Sequence, residues 1–326
     1  MLSVAKKTIL AFLILATGFF FFKLDAYGGG FPSHPITYII PFNPGGQSDI
    51  QARLQQGLLE KELHVPIVIT YEPGGGGALG WSNLVHGKAD GYTVAGINLP
   101  HIILQPLVRG KSAGYETNQI LPLAFFQRTP IGLAVLKTSP FKTLKQLVAY
   151  AKAHPGAVTI SGVGVWTGHY MTYLELEKAA GIKLTYIPST GDSETVTNLL
   201  GGSTKVALFS SNDFVSYKSK LRVLAIASSK RLSFLPNIPT FKEQGYNIVE
   251  SIDRGVGVKQ GTPKAIVDVL EKAFIKAMHN KDTIAKMKAE GFEPIFMNMQ
   301  QSEEHIKKLK TKYELLLKQL NIHFKG

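Results

Sequence analysis

Two glycine-rich loops, each leading into a helix-like segment, carry the groups in this sequence that are best suited to bind an anion. The first loop, Pro41–Asp49, reads Pro-Phe-Asn-Pro-Gly-Gly-Gln-Ser-Asp. Glycines allow the backbone to approach a ligand closely. Free N–H groups at a helix start and the positive end of the helix dipole favour an anion. Ser48 and Asp49 are also typical helix N-cap residues, so this loop alone indicates either an anion site or only a turn and a cap.

The other loop, Ser161–His169, reads Ser-Gly-Val-Gly-Val-Trp-Thr-Gly-His and lies far along the chain. Two anion sites in opposing halves of a protein would suit a dicarboxylate, or one carboxylate and one polar group. His169 is either a ligand contact or a structural histidine. Trp166 either packs between the two halves or forms a wall on which the ligand stacks.

A further glycine run, Gly74–Gly77, resembles a phosphate-binding loop at first sight. It lacks the Lys-Ser/Thr pair that such a loop needs, because Gly80 is followed by Trp81 and Ser82. It also lacks the combination that dinucleotide-binding folds use, which is Gly-x-Gly-x-x-Gly spacing together with an acidic residue at the right distance. We therefore predict a tight packing turn here and no nucleotide site.

The sequence does not indicate a common catalytic or metal site. The nine histidines form no His-Glu-x-x-His pair. Residues Gly110–Gly114 have Gly-x-Ser-x-Gly spacing, but we predict no nucleophile elbow. The chain has no cysteine, which excludes disulfides, thiolate metal sites and cysteine nucleophiles. No nucleophile is paired with a base. We expect no catalytic residue, no metal and no cofactor.

The elements that must position these loops alternate between strand-like and helix-like segments, which indicates an α/β fold. In the helix after the first loop, Ile50, Leu54 and Leu58 form one apolar stripe. Two similar α/β blocks follow one another, and the last third of the chain is helix-rich. The segments Leu121–Leu136 and Tyr246–Val258 are extended and apolar, and we predict that they cross between two lobes.

Length and charge restrict the possible partners. The 326 residues suffice for two domains. Lysines and arginines outnumber acidic residues by 36 to 23, which gives a net charge of +13. The lysines are scattered and form no basic stripe interleaved with aromatic residues, so we expect no nucleic-acid partner.

The N-terminus has the features of an export signal. Lys6 and Lys7 precede an apolar run, Thr8–Phe22, of 15 residues. This run is shorter than the roughly 20 residues of a membrane-spanning helix and fits the core of a secretory signal peptide. Cleavage after Ala26 would release the chain, and an uncleaved anchor is the alternative. Either outcome places the bulk of the protein in the periplasm.

The sequence resembles the periplasmic solute-binding receptors of the tripartite tricarboxylate transporter family, also called Bug proteins. The resemblance covers nearly all of the chain after residue 26, and the order and spacing of the matching segments make it specific. These segments are Ile40–Asp49 with Ala52–Leu54, Glu72–Gly77, Ala89–Thr93, Ser161–Gly164 with His169, Leu200–Gly202, Leu221–Ala225, Leu235–Thr240, Glu243–Tyr246 and Gly261–Pro263.

The resemblance implies a two-lobed, type II-like Venus-flytrap fold with a cleft between α/β lobes. After a signal peptide over residues 1–26, lobe 1 would comprise residues 27–125 and 252–326, and lobe 2 residues 126–251. The ligand would be a small anionic organic acid, which could be a di- or tricarboxylate, an amino acid or an aromatic acid. The monomeric receptor would deliver it to the membrane components of a transporter. Presentation of the ligand to a sensor kinase is an alternative, and an enzyme acting on an acyl or phosphate substrate is a weaker one.

The candidate ligand-binding residues follow from the two loops and from the resemblance. They are Phe42, Gly45, Gly46, Ser48, Asp49, Asn98, Gly164, Trp166, Thr167, Gly168, His169, Ser189 and Thr190. The chain departs from the family at two places. Val165 and Trp166 follow Gly164 where the family usually has Ser or Thr, and Pro188–Gly191 reads Pro-Ser-Thr-Gly instead of Pro-Tyr-Lys-Gly. We therefore expect this protein's own specificity to depend on the Gly162–His169 loop, with Trp166 filling or covering the pocket.

Overall fold

A computed structural model of the protein describes residues 30–324. The predicted signal peptide therefore lies outside the described residues. The chain divides into two units between Ser33 and His34, and the fold below is that of the unit that begins at His34. No helix in residues 30–324 combines the length and the apolar character that crossing a membrane requires.

The first α/β block is built on three parallel strands. Strand β1 lies between β2 and β3. The elements are β1 (Ile36–Ile40), α1 (Gln47–Leu63), β2 (Ile67–Tyr71), α2 (Ala78–His86), β3 (Thr93–Leu99) and α3 (His101–Arg109). Because parallel strands here are covered by helices on both faces, β1 is almost wholly apolar and buried.

Strand β4 (Ile120–Leu136) is long and belongs to both blocks, and the second block follows it. Strand β5 lies between β6 and β7 in parallel, and the end of β4 pairs antiparallel with β7 and β8. The elements are α4 (Leu144–Ala153), β5 (Thr159–Val163), α5 (Gly168–Ala180), β6 (Thr185–Ser189), α6 (Asp192–Leu200), β7 (Val206–Ser210), α7 (Asp213–Ser216) and β8 (Leu221–Ile226).

Strand β9 (Ser251–Lys259) brings the chain back to the first block. It pairs antiparallel with β3 on one side and with Ile120–Pro130 of β4 on the other. The remaining elements are α8 (Lys264–Met278), α9 (Lys281–Ala289), β10 (Glu293–Met297) and α10 (Met299–Gln319). Strand β10 pairs with the first half of β4. Because the second half of β4 pairs with β7 and β8, β4 continues from one block into the other.

Each block has its own apolar core. In the first block, Trp81, Ile97, Ile103 and Phe125 pack with Tyr313 from α10. In the second block, residues from strands β4, β5, β7 and β8 pack with helices α4 and α5 on one side of the sheet. The opposite side of that sheet packs against helices α6 and α7. The predicted α/β fold class is confirmed.

The structure corrects several local predictions. Ser48 and Asp49 are not the N-cap of α1, because the helix begins at Gln47 and is capped by the backbone of Gly46. In the sequence, Ser302 with Glu304 nearby indicates the start of the final helix, but this helix begins three residues earlier, at Met299. Helix α3 was not expected, because Pro106 lies inside it and proline disfavours helix interiors. Helices α7 and α9 and strand β10 were not expected either.

Candidate ligand-binding site

The loops that follow β1, β3, β5 and β6 meet with strand β9 around one small buried cavity. Its volume is about 10 Å³, which is the space of roughly one water molecule. The first block contributes Phe42, Gln47, Ser48, Asn98 and His101, the second block Val163, His169 and Asp192, and β9 contributes Ile252 and Arg254. The cleft between the two blocks is therefore closed in this structure.

The first glycine loop is held in shape by Asp49. The Gly45 N–H donates to Asp49 Oδ2 at 2.8 Å, and Gly45 has a φ of 78°. The other carboxylate oxygen, Oδ1, accepts hydrogen bonds from Arg53 Nε and Tyr71 Oη, both at 2.8 Å. Both oxygens of Asp49 thus have partners inside the first block, so this side chain shapes the loop. Gly46 provides no side-chain cap for α1, so the start of the helix is available to an anion.

The second glycine loop ends in a side-chain cap. Thr167 Oγ1 accepts from the Tyr170 N–H at 3.3 Å and donates to the carbonyl of Val163 at 2.6 Å. Trp166 has a φ of 57° and packs edge-on against Tyr170, with ring centroids 5.0 Å apart. The indole also packs against the apolar core of the first block. Trp166 therefore packs between the two blocks and is not part of the cavity wall.

Two buried histidines face the cavity. His169 lies in the first turn of α5, and neither of its ring nitrogens has a hydrogen-bond partner within the described residues. Burial lowers the pKa of His169 to about 4, although the nearby Asp192 carboxylate opposes this shift. Burial also lowers the pKa of His101 well below its ordinary value, with smaller contributions from His169 and Arg254. Both rings are therefore neutral at pH 7.

A buried arginine stands at the base of the cavity. Arg254 Nη1 donates to Thr129 Oγ1, and Nη2 donates to Ser210 Oγ at 3.4 Å. Nη2 also lies 3.9 Å from Asp192 Oδ2. Burial lowers the pKa of Arg254, while nearby carboxylates including that of Asp192 raise it, and a guanidinium stays charged in proteins. The cavity thus contains a buried positive charge with a carboxylate beside it.

A second carboxyl group lies behind the cavity wall. Asp213 Oδ1 accepts a hydrogen bond from Gln47 Nε2 at 3.1 Å, which joins α1 to α7 across the cleft. Burial and the neighbouring Asp192 raise the pKa of Asp213 well above its usual range, against the opposing charge of Arg254. The neutral acid is therefore favoured at this position.

The Gly74–Gly77 run packs against the second glycine loop. All four glycines have positive φ values. A Cβ atom on Gly76 would lie 2.4 Å from Gln105 Nε2 and 3.0 Å from the carbonyl oxygen of Val165. Gln105 Nε2 in turn donates to that carbonyl at 2.6 Å. The run is thus a packing turn that touches the other block, as the sequence predicted.

Comparison with known proteins decides the family. The model of the tripartite tricarboxylate transporter family receptor matches residues 51–322. The chain belongs to this family. A Cupriavidus necator relative, the UPF0065 protein in gbd 5'region, is 33% identical over 302 residues, which cover 90% of each chain.

Solved structures show the same fold. One described as a periplasmic transporter superposes with a TM-score of 0.84 and 26% identity, covering 90% of this chain and 99% of that chain. An R. palustris protein solved with adipate gives a TM-score of 0.83 and 23% identity with the same coverage. Receptors of this family are periplasmic solute-binding proteins. The predicted family, the two-lobed binding-protein fold and the receptor function are confirmed.

The structure brings four of the thirteen predicted site residues of this receptor to the cavity wall, namely Phe42, Ser48, Asn98 and His169. Gly45, Gly46 and Asp49 form the loop beside it. Gly164, Thr167 and Gly168 shape the turn into α5. Ser189 Oγ bonds to the backbone carbonyl of Gly162, and Thr190 bonds to Asn43 across the cleft. None of these last eight, nor Trp166, lines the cavity.

Six lining residues were missed from the sequence: Gln47, His101, Val163, Asp192, Ile252 and Arg254. Three of them had a signal in the sequence. Gln47 directly follows Gly45–Gly46, and Asp192 directly follows Gly191 at the start of a helix. Arg254 is a charged residue inside a segment predicted to be an apolar crossing, and that mismatch is itself a signal of function. Within residues 30–324, histidines and acidic residues form no cluster that could hold a metal ion.

Proposed function

We propose that this receptor closes its two lobes, residues 27–125 with 252–326 and residues 126–251, over a small organic acid in the cavity. The observation that supports this most directly is the meeting of two helix starts, α1 and α5, with the buried guanidinium of Arg254. All three favour a carboxylate. A structural relative of R. palustris that was solved with adipate supports a ligand of this class.

Entry of the ligand requires the lobes to separate. Pockets for small ligands commonly measure about 300–1,000 Å³, whereas the cavity of the closed form measures about 10 Å³. Hydrogen bonds from Gln47 to Asp213 and from Gln105 to Val165 join the lobes. Strand β4 continues through both lobes, and the chain crosses back where β9 begins at Ser251, so hinge bending at these two crossings would open the cleft while each sheet stays intact.

The remaining functional assignments follow from family membership. We propose that the protein acts in the periplasm after removal of residues 1–26, as a monomer, and that it delivers its ligand to the membrane components of a tripartite tricarboxylate transporter. We further propose that it performs no catalysis. The two neutral histidines in the cavity wall can position a ligand by hydrogen bonds. Among the described residues that line the cavity, no hydroxyl side chain is hydrogen-bonded to a general base, since Ser48 Oγ donates to the amide oxygen of Asn98.

Calorimetry and thermal unfolding with succinate, adipate, citrate and benzoate, against glucose as a neutral control, test the proposal. A ligand at 100 times its Kd stabilises the folded state by about 2.7 kcal/mol. We expect at least one carboxylate to raise the melting temperature by several degrees and glucose to leave it unchanged. Stabilisation by glucose, with none from any carboxylate, would refute the carboxylate assignment.

A pair of glycine variants tests the location of the site. Gly46→Ala adds a methyl group at 3.7 Å from Asp192 Oδ2, between the α1 start and the opposite lobe. We expect it to weaken carboxylate affinity at least tenfold. Gly57→Ala lies in the middle of α1 with open space around its Cβ and serves as the matched control. Equal affinities of the two variants would place the ligand elsewhere.

A further inference from the structure

Asp192 and Arg254 form an incomplete ion pair inside the cavity. The side chains are only 11% and 4% exposed, and the shortest distance between Asp192 Oδ2 and Arg254 Nη2 is 3.9 Å. That distance is too long for a hydrogen bond. Asp192 Oδ1 and Arg254 Nε have no hydrogen-bond partner within the described residues. Each group therefore keeps hydrogen-bonding capacity, and both line the same cavity.

A buried charge without a full set of partners is costly. Arg254 is held in position by Thr129 and Ser210, which are neutral and do not balance its charge. Asp192 is the first residue of helix α6, so its carboxyl group lies at the positive end of the helix dipole. The pair is thus fixed in place by separate elements, and a ligand is the group that can complete the hydrogen bonds of both.

We propose that the ligand is an amino acid, whose ammonium group donates to Asp192 while a carboxylate binds Arg254. This inference rests on the proposed function and narrows it from organic acids in general to those that also carry an amino group. Asp192 and Arg254 would then discriminate between acids that carry an amino group and acids that do not.

The charges of the cavity wall support this assignment. Of the ten lining residues in the described chain, Arg254 is the only cation at pH 7, because both histidines are neutral, and Asp192 is the only acid. A ligand with carboxylates alone would compensate Arg254 but would face Asp192 with a like charge. An amino acid presents one group of each sign and leaves neither side chain uncompensated.

The position of Asp192 strengthens the argument. Its Oδ2 atom would lie 3.7 Å from a Cβ placed on Gly46, at the start of α1. A carboxylate bound at that helix start therefore lies close to the Asp192 carboxylate. In an α-amino acid the ammonium group is attached next to the carboxylate, so one end of the ligand can meet the helix start and Asp192 together.

Matched pairs of ligands test the inference by calorimetry at pH 7. The pairs are aspartate with succinate, glutamate with glutarate, and alanine with propionate, in which the second member lacks only the amino group. We expect the tightest-binding amino acid to bind at least tenfold more tightly than its partner. In Asp192→Asn this ratio falls close to one, since the amide no longer attracts the ammonium, while the partner acid binds as well as before or better.

Two further variants separate a binding role from a structural one. Arg254→Met should weaken both members of a pair at least tenfold. Asp282→Asn removes an acid from the first turn of α9, where it is exposed, and should leave every affinity unchanged. A change in the melting temperature of Asp192→Asn with an unchanged affinity ratio would assign Asp192 a structural role and overturn the inference.

The two proposals fail in different ways. If succinate, glutarate or adipate binds as tightly as the amino acids, the receptor still captures carboxylates and only the amino-acid inference is overturned. If no acid with or without an amino group binds, the proposed function itself is wrong, and the inference falls with it.

Discussion

Replacing Glu175 by glutamine should stabilise the protein in a strongly pH-dependent way. Glu175 lies on α5 beside Glu250, whose side chain is fully buried. Glu250 Oε1 pairs with Lys312 Nζ at 2.5 Å, and Oε2 accepts from Tyr313 Oη at 2.6 Å. Both oxygens of Glu250 thus have partners on α10, whereas Glu175 Oε2 has none within the described residues. Glu175 is therefore the carboxyl group whose ionisation is costly.

The magnitude follows from the pKa of Glu175. Burial, followed by repulsion from Glu250, raises this pKa from 4.5 to about 8, against a smaller attraction from Lys312. Below about pH 4.5 the Glu175 carboxyl group is protonated in both the folded and the unfolded states, so it does not make the free energy of unfolding depend on pH. Between pH 4.5 and 8 only the unfolded state releases its proton, so stability falls as pH rises. At about 1.36 kcal/mol for each unit, this loss amounts to roughly 3 kcal/mol at pH 7.

Urea denaturation of the wild type and Glu175→Gln, followed by circular dichroism at pH 5, 6, 7 and 8, measures this loss. Glutamine is nearly isosteric and cannot ionise, so we expect its advantage to be below about 1 kcal/mol at pH 5 and to grow to about 3 kcal/mol at pH 7. Glu304→Gln removes an exposed carboxylate from α10 and should change stability by less than about 0.5 kcal/mol. A constant difference between wild type and Glu175→Gln at all four pH values would refute the reasoning.

Three further substitutions test packing and closure. Gly76→Ala should weaken ligand binding about tenfold in calorimetry, because its Cβ would displace Gln105, which joins the lobes, and would lie 3.0 Å from the Val165 carbonyl oxygen of the opposite lobe when the cleft closes. Gly202→Ala, with a φ of 78° and open space, is the control and should bind normally. Gly132→Ala should lower the free energy of unfolding by about 1–3 kcal/mol, since its Cβ would lie 2.4 Å from the ring of Phe214; an unchanged urea midpoint would contradict this. Thr167→Ala should cost about 1 kcal/mol through loss of the cap of α5, and a circular-dichroism melt identical to that of the wild type would show that the cap is dispensable.

Local sequence patterns were enough to predict most of the fold. The stripe of Ile50, Leu54 and Leu58 predicted the helix after the first loop, which is α1 (Gln47–Leu63). The apolar segment Leu121–Leu136 was predicted to be extended, and it forms nearly all of β4 (Ile120–Leu136). Apolar periodicity and glycine or proline at the ends determine such elements without distant contacts. Helix α3 was not predicted, because Pro106 lies inside it. Residues 101–107 are all buried, so tertiary contacts stabilise this helix despite the unfavourable local preference of proline.

The site was less predictable because its charged residues meet only after folding. Arg254 donates hydrogen bonds to Thr129 and Ser210, which lie 125 and 44 residues away in the sequence. No short segment of the sequence indicates that these residues come into contact. Asp192 directly follows Pro188–Gly191, where the sequence departs from its family. The sequence nevertheless led us to expect specificity in the Gly162–His169 loop. The departure did not point to the Asp192 carboxylate, which lies beside Arg254 only in the folded structure.

The glycine loops of this receptor have a role in closure as well as in binding. A Cβ on Gly164 would lie 2.9 Å from the Cα of Gly76, and one on Gly191 would lie 3.4 Å from the backbone nitrogen of Asn43. The two lobes thus touch backbone against backbone, and side chains at these positions would hold them apart. This explains why most of the predicted glycines do not line the cavity. The glycines let the lobes meet, and in our proposal the choice of ligand depends on the side chains enclosed behind them, above all Asp192 and Arg254.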